Sequence, residues 1–518
     1  MAWRSAIAVS FRGSLHRGGV GLGLAVLLAC APSAPAYAIA SASSPVVASP
    51  PARETLRDHW YVLTLDGKPC GRMHRAAWRE GSSIRSREAT EMAVSRDGTQ
   101  VAIAIELEVV ESLAGDPIRA ERRFTSNGQT QTTVWRFEGD RVETIESQGG
   151  SERRSNVALP PREPKSPWLA PAQAEAFAES RRAAGADRLE LRALTFDRGL
   201  EVRSTIAVRE DASNFRWQGR EIPAVRWEVL AEDEPSKSRQ WWSTDGRLLE
   251  SRTPTGLGEL VATIATEAEA SSWRRGELPD VVRATVVPLG GRLPPEGEAT
   301  LRVSKRDGEL PDLPSTAMQR FERIDAATAR LVLLAEPRPD RLAEPPDDAM
   351  LAASALLELE DPVLRELAAK PPETSPDALA EALRRLVRRH LRNKDLGVAF
   401  ASAAEAARSR QGDCSEHATL LCALLRIRGI PARIAVGLGH AERFGGQSNV
   451  FAWHAWTQAW IGDRWVDLDA TVARPRDGRR IAVAFSDLSK GLFDPVWSET
   501  LPLMGAMAIE VERRDLPR

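Results

Sequence analysis

The sequence has little cysteine, no marked excess of either charge and, after its first segment, no long apolar run. Lysine and arginine number 70 against 72 aspartates and glutamates, for a formal net charge of −2, and this balance gives no electrostatic signature of nucleic-acid binding. The arginine pairs Arg384-Arg385 and Arg388-Arg389 follow a helical pattern typical of a solvated face. Beyond residue 38 no stretch is long and apolar enough for a transmembrane helix. We therefore expect no nucleic-acid partner and no membrane span.

The first 38 residues have the composition of an export signal. Three arginines precede the apolar stretch 18–30, which is too short to span a bilayer comfortably, and Ala36-Tyr37-Ala38 is typical of a cleavage site. Leu27-Leu28-Ala29-Cys30 offers an alternative, because it resembles a lipoprotein signal with Cys30 as the lipidated residue. We expect a periplasmic or secreted protein that contacts a membrane only if Cys30 is lipidated.

The remaining chain has a globular composition, with 42% hydrophobic and 27% charged residues in 518, and is long enough for several domains. Alternating patterns separated by turn pairs such as Asp66-Gly67 and Asp245-Gly246 predict antiparallel β structure, with a helical insertion at 172–184. After residue 346 helical patterns precede further strands, so the predicted fold class is α+β. The predicted division is a signal peptide at 1–38, a linker at 39–57, an antiparallel β-rich domain at 58–271, a small β module at 272–345 and a mixed core at 346–518.

The stretch from Gln411 to Thr471 holds three residue types that together support nucleophilic chemistry. Cys414 stands just before an apolar run that ends at Gly429 and Pro431, which is the pattern of a helix with the cysteine at its N-terminus. The positive end of a helix dipole favours the thiolate, which is the nucleophilic form of cysteine. Cys414 is therefore the candidate nucleophile.

A base and a carboxylate follow on two predicted strands. Residues 453–460 alternate bulky side chains with small or polar ones and contain His454, and 465–471 form a second strand pattern with Asp469 near its end. Gly462-Asp463 between them is a hairpin signal, so the two strands should pair antiparallel. In that arrangement Asp469 can hold the imidazole of His454 while the ring faces Cys414.

Four ordered blocks carry a family resemblance. They are Gly-Asp-Cys-Ser-Glu-His-Ala from residue 412, Leu-Leu-Arg-Ile-Arg-Gly-Ile-Pro-Ala-Arg from 424, His-Ala-Trp from 454 and Trp-Val-Asp-Leu-Asp-Ala-Thr from 465. Over roughly 350–490 the chain resembles bacterial transglutaminase-like proteins, a superfamily with a papain-like fold. The resemblance implies a transglutaminase-like C-terminal core with a triad of Cys414, His454 and Asp469. It also implies no cofactor and no metal dependence, since nothing resembles the calcium sites of animal transglutaminases.

Other residues compete for these roles. His417 lies one turn from Cys414 and His440 precedes the strand of His454, so both are alternative bases, although we expect His417 to line the cleft rim. A zinc site of Cys414, His417 and Cys422 lacks a fourth ligand at a familiar spacing.

The other cysteines and tryptophans have ordinary structural explanations. The apolar neighbours of Cys422 favour a core position, and Cys70 beside Gly71 is expected in a turn. Cys70 and Cys422 could nevertheless form a disulfide after export. Trp453 and Trp456 flank His454 and either wall a channel or belong to the core.

These observations predict a thiol enzyme that acts on amide bonds of a glutamine side chain or a peptide. Cys414 would form a thioester, and an amine or water would then release the acyl group. Two alternatives remain open: a cysteine peptidase or amidase of the same fold, and a catalytically inert binding protein of the cell envelope. The expected partner is a protein or peptide substrate in the cell envelope.

Overall fold

The computed structural model of the chain describes residues 53–512, except for 97–98, 127–128, 149–150, 165, 198, 233–236, 274–276, 295–296, 339–343, 393–400, 474–478 and 490–499. The predicted signal peptide, including Cys30, lies outside the described residues, so export stays a prediction. Within the described part of the chain, no helix combines the length and apolar character needed to cross a membrane.

Fifteen strands of the first half form one sheet in the order β8-β7-β6-β5-β4-β3-β2-β1-β15-β14-β13-β12-β11-β10-β9. Every pair is antiparallel except β9 with β10. The predicted antiparallel β-rich region is therefore confirmed. The strands are β1 (Arg53–Leu65), β2 (Lys68–Glu80), β3 (Ser83–Arg96), β4 (Thr99–Ser112), β5 (Pro117–Ser126), β6 (Gln129–Glu138), β7 (Arg141–Gln148), β8 (Ser151–Ala158), β9 (Trp168–Leu169), β10 (Arg188–Thr195), β11 (Glu201–Trp217), β12 (Arg220–Ala231), β13 (Ser238–Ser243), β14 (Leu248–Thr255) and β15 (Gly258–Ala265).

Short turns and one inserted helix shape this sheet. Asp66 and Gly67 join β1 to β2 with φ of 47° and 78°. Aspartate and glycine are favoured in this left-handed conformation at a two-residue hairpin turn. Helix α1 (Pro171–Ala183) packs on β10, and its Glu175 pairs with Arg57 on β1 and Arg75 on β2. The predicted helical insertion is therefore present and is tied to the sheet by ion pairs.

The second half combines helices with a sheet in the order β18-β19-β17-β24-β16-β21-β20-β23, and β22 pairs with β21. Its first and last strands are joined by a side chain, because buried Gln319 on β18 donates to Ala482 O and accepts from Ala482 N of β23. Helix α2 (Glu267–Ser271) follows β15 and contacts β1 and β2 of the first sheet. The elements of the second half are β16 (Val286–Gly290), β17 (Ala299–Lys305), β18 (Gln319–Arg323), β19 (Thr328–Leu333), α3 (Pro362–Ala369), α4 (Pro376–His390), α5 (Ala403–Ser409), α6 (Cys414–Ile427), β20 (Ala432–Phe444), β21 (Gln447–Ile461), β22 (Arg464–Leu468), β23 (Arg480–Ser486) and β24 (Met507–Val511).

The predicted small β module at 272–345 does not form a sheet of its own. Its strand β16 pairs with β21 and β24, and its strand β17 pairs with β24, so it shares a sheet with the strands of the 346–518 core. The predicted boundary at residue 345 therefore does not fall between two sheets. Hydrogen bonds between segments distant in the sequence decided this arrangement, and alternation within each segment gives no sign of them.

Helix α6 is the centre of the helical layer. It contacts α3, α4 and α5 on one side and β20 and β21 on the other, and nearly all of its side chains are buried. Two arginines at its C-terminal end donate to distant carbonyl groups: Arg426 to Ala352 O, Ala432 O and Asp487 O, and Arg428 to Ala368 O and Pro371 O. These bonds fix the helix whose first residue is Cys414.

Candidate active site

Cys414 is the first residue of α6 and is half-buried. Asp413 caps the helix: its carboxylate accepts from Ser415 N, and Glu416 in turn accepts from Asp413 N. Gly412 before the cap has φ of +151°, and a Cβ there would lie 2.3 Å from Cβ of Glu416. A glycine is therefore required for the chain to approach the helix end this closely.

His454 lies where one edge of β21 is open. Strand β16 pairs with 450–452 and β22 with 457–461, and both lie on the edge opposite β20. Among the described residues no strand pairs with 453–456 on this edge. The imidazole interacts there with the side chain of Cys414, and Thr457 Oγ1 fixes the strand to the helix by donating to Ala418 O at 2.9 Å.

Asp469 follows the end of β22 by one residue and holds the imidazole. His454 Nε2 donates to Asp469 Oδ2 at 2.8 Å. The other carboxylate oxygen, Oδ1, accepts from Thr471 N at 2.9 Å and from Thr471 Oγ1 at 2.6 Å. These bonds fix the carboxylate. The order and the hairpin expected from the sequence thus bring Cys414, His454 and Asp469 together.

The charges of this group stabilise one another. Burial would lower the pKa of His454, but the charge and hydrogen bond of Asp469, together with the contact to Cys414, raise it to about 10. Burial would raise the pKa of Asp469, but His454, then Arg480 and Thr471, lower it below its ordinary value. These interactions favour a protonated imidazole at neutral pH, between the sulfur of Cys414 and the carboxylate of Asp469.

Arg480 and Arg384 also contact Asp469, and neither contact was predicted from the sequence. Arg480 Nη1 lies 3.3 Å from Asp469 Oδ2. Arg384 on α4 donates to Asp469 O at 2.9 Å and to Val472 O at 2.8 Å, and its side chain is 2% exposed. The expectation that Arg384 lies on a solvated face was therefore wrong. The other three arginines of the two pairs fit that expectation: Arg385, with a side chain 52% exposed, and Arg388 and Arg389, which are also exposed.

Replacing Arg384 with methionine should destabilise the protein and displace Asp469. The carbonyls of Asp469 and Val472 would lose their donor, and Glu381 would lose the arginine with which it forms an ion pair. Removing one partner of a buried ion pair is expected to lower the free energy of unfolding by about 3–5 kcal/mol. Denaturant unfolding measures this loss. Arg385→Met on the same helix is the matched control and should stay within about 0.5 kcal/mol of the wild type. Equal effects of the two variants would contradict the assignment.

The alternative bases have other partners. His417 was expected at the cleft rim, but its side chain is buried. Its Nδ1 donates to Asp413 O at 2.5 Å. This position follows from its helix, because residues 413 and 417 are one turn apart. His440 Nε2 donates to Asn449 Oδ1 at 3.2 Å, and its ring packs edge-on against Phe451. His454, by contrast, is bonded to the carboxylate of Asp469.

Cys70, Cys414 and Cys422 are all free thiols. Cys422 is fully buried in the core, as expected. Cys70 is also buried and lies within β2 rather than in a turn, so that part of the expectation was wrong; burial raises its pKa to about 12. In the described ranges no group of three or more histidine, cysteine or acidic side chains could hold a metal ion.

Trp453 and Trp456 are both buried, which favours the core interpretation. Trp456 nevertheless belongs to the surroundings of the base, because its ring stacks on His454 with centroids 6.0 Å apart and Arg480 lies 5.8 Å from its ring centroid. The two pockets described for the surface both lie in the first sheet, away from Cys414.

A family model matches the C-terminal part of the chain. The family model of the transglutaminase-like superfamily matches residues 364–470, a segment that contains all three candidate residues. This match confirms the resemblance and the predicted fold of the C-terminal core. Comparison with curated proteins gave no match.

Three solved structures are similar to the chain. A β-barrel-like protein of unknown function from Brucella abortus is 12% identical, with 40% of this chain and 95% of that chain covered and a TM-score of 0.32. A candidate cysteine protease from Cytophaga hutchinsonii is 16% identical, with 43% and 88% covered and a TM-score of 0.26. A candidate protease from Parabacteroides distasonis is 11% identical, with 70% and 68% covered and a TM-score of 0.20.

Proposed function

Residues 364–470 form a transglutaminase-like domain, and on this basis we propose that the chain is a thiol enzyme that transfers or hydrolyses acyl groups of amide substrates. Cys414 is the nucleophile, His454 the acid and base, and Asp469 the residue that orients the imidazole. One observation carries the proposal: His454 is bonded to Asp469 Oδ2 at 2.8 Å through Nε2 and interacts with Cys414 at the start of α6.

The reaction begins at the sulfur of Cys414. An imidazolium beside the sulfur favours the thiolate, which attacks the amide carbonyl carbon and forms a C–S bond. The C–N bond then breaks, and His454 gives its proton to the leaving amine. Water or an amine then attacks the thioester carbon and gives a proton to His454, which is neutral at this point. The C–S bond breaks, the sulfur leaves as the thiolate, and the starting pair of thiolate and imidazolium is restored. Asp469 keeps its negative charge throughout and stabilises the imidazolium.

The start of α6 also supplies a donor for the oxyanion. The first N–H groups of a helix have no acceptor within the helix, so the N–H of Cys414 is available to a carbonyl oxygen bound beside the sulfur. The capping bonds of Asp413 go to Ser415 N rather than to Cys414 N. We assign Cys414 N as one oxyanion donor.

Trapping the acyl-enzyme tests the proposed function. The protein is mixed with glutamine-containing peptides, quenched in acid, and analysed by mass spectrometry after proteolysis. An acyl adduct on the peptide that contains Cys414, absent from Cys414→Ala, is the expected result. A chain that forms no adduct and whose Cys414 does not react with an electrophile would instead be the inert binding protein.

The second step decides between transfer and hydrolysis. Because both routes share the thioester, the acceptor alone distinguishes them. Incubation with a fluorescent primary amine, with and without peptide, measures transfer, and release of ammonia or of a new peptide end without incorporation of the amine measures hydrolysis. The predicted location of the substrate in the cell envelope is part of the same proposal and depends on export of the chain.

A further inference from the structure

Two carboxyl groups are buried side by side next to the candidate nucleophile. Asp413 directly precedes Cys414 and is 7% exposed. Glu416 lies two residues after Cys414 and is fully buried. They form the capping box of α6, a common arrangement in which the residue at the cap and the residue three positions later bond each other's backbone. A capping box is usually exposed to solvent, so two buried carboxyl groups here require a further explanation.

The hydrogen bonds around Glu416 use both of its oxygens. Oε2 accepts from Asp413 N at 3.0 Å, and Oε1 lies 3.2 Å from Ala401 N and 3.1 Å from Ser415 Oγ. Asp413 Oδ1 accepts from Ser415 N at 2.8 Å and lies 2.8 Å from Ser415 Oγ. Asp413 Oδ2 is buried and has no hydrogen-bond partner.

The hydroxyl of Ser415 shows how protons are distributed between the two carboxyl groups. It lies within hydrogen-bond distance of Asp413 Oδ1 and Glu416 Oε1 but has only one proton to donate. If both carboxyl groups were ionised, one of these contacts would set two acceptors against each other in a buried site. Both contacts are satisfied if Glu416 Oε1 carries a proton and donates it to Ser415 Oγ, which then donates to Asp413 Oδ1.

The charges near Glu416 favour the same distribution. Burial and then the negative charge and hydrogen bond of Asp413 raise the pKa of Glu416 well above its ordinary value, and the charge of Cys414 acts in the same direction. On the segment that contacts Glu416 through Ala401 N, Glu405 accepts from Ser402 N at the start of α5, and Glu358 accepts from Ala404 N. On α6 itself His417 is bonded to the carbonyl of Asp413.

We propose that Glu416 is a neutral carboxylic acid that donates through Ser415 to ionised Asp413, and that this chain of protons positions Cys414. The proposal rests on the proposed function in one respect, which is the role of Cys414 as the nucleophile. A neutral Glu416 keeps the turn of 413–416 closed without placing a second negative charge beside the thiolate. If Glu416 lost its proton at high pH, two carboxylates would compete for the single hydroxyl proton of Ser415. This competition would weaken the turn that holds Cys414.

Thermal unfolding of Glu416→Gln across pH tests this proposal. Glutamine keeps an acceptor for Asp413 N and a donor for Ser415, but it cannot ionise. A folded-state pKa raised above the unfolded value of about 4.3 gives stability that is present at low pH and lost as pH rises. The Tm of Glu416→Gln minus that of the wild type should therefore become more positive by roughly 2 °C or more between about pH 5 and pH 8.

Glu405→Gln is the matched control, because Glu405 occupies the same position in the capping box of α5 with Ser402 and is not fully buried. Its Tm difference should not rise with pH. A difference for Glu416→Gln that is flat or becomes more negative with pH would mean an ionised Glu416 and overturn the proposal. If Glu416→Gln does not fold, Glu416→Met is measured in the same way, and failure of both neutral variants to fold would also overturn it. Since no substrate is used, the result is independent of the acyl-enzyme experiment.

Discussion

Replacing Cys414 with alanine is expected to abolish turnover while the protein stays folded. The thiolate forms the only covalent bond to the substrate in the proposed reaction, so its loss should lower kcat on the order of a millionfold, to the background rate. The helix should persist, because Asp413 and Glu416 cap α6 and the thiol is only half-buried. Turnover and circular dichroism of the purified variant measure the two effects separately.

Cys422→Ala is the control for this prediction. Cys422 lies on the same helix, is fully buried and has apolar neighbours, so its replacement should leave turnover nearly unchanged and lower the free energy of unfolding by about 1–3 kcal/mol. The two cysteines therefore separate chemistry from packing. If Cys414→Ala retained turnover, or if Cys422→Ala lost it without unfolding, the nucleophile would be misassigned.

Replacing Asp469 with asparagine should lower turnover by about 10³–10⁴-fold. Asparagine keeps the shape of the side chain but removes the charge that raises the pKa of His454 to about 10. With the pKa raised to about 10, the folded protein keeps the imidazolium until the pH approaches 10. The stability that this charge contributes is fully present below the unfolded value of about 6.5 and is lost as pH rises through 10. In the variant His454 should lose its proton at a lower pH, so that a smaller fraction of the protein has an imidazolium beside the sulfur at neutral pH.

Alkylation of Cys414 measures this charge without a substrate. An adjacent imidazolium favours the thiolate, so iodoacetamide should react with the wild type well below the reference thiol pKa of about 8.5. The rate at about pH 6 should fall in Asp469→Asn and in His454→Gln.

Asp467→Asn is the matched control for Asp469→Asn. Asp467 lies on β22, two residues before Asp469, and its Oδ1 accepts from Gln458 Nε2 at 2.8 Å rather than from a histidine. Turnover and low-pH alkylation should both stay near wild-type values in this variant. If removal of His417 eliminated the low-pH reactivity and removal of His454 did not, the base would have to be reassigned.

Part of this arrangement could be predicted from the sequence because it depends on neighbouring residues. Gly412 and Asp413 before an apolar run, with Gly429 after it, specify a helix that begins at Cys414. Gly462 and Asp463 specify the two-residue turn that pairs β21 with β22. Both signals act over one helical turn or one hairpin, so they can be read in a single sequence without a homologue.

The remaining features depend on segments that are distant in the sequence. His417 was expected at the cleft rim but is buried, since α3, α4 and α5 cover α6. The small β module was expected to stand apart, but hydrogen bonds join β16 to β21 and β17 to β24. Helical and strand periodicity show that one face is apolar without showing what covers it.

The amino-acid sequence alone determined the order of nucleophile, base and carboxylate and the local elements that carry them. Only the tertiary structure decided what fixes and charges them: Arg384 on the backbone of Asp469, Arg480 on its carboxylate, and Glu416 beside Asp413. The physical reason is that burial and partner charges determine whether a side chain is ionised and where it is held. Both depend on the whole fold and not on the spacing of residues along the chain.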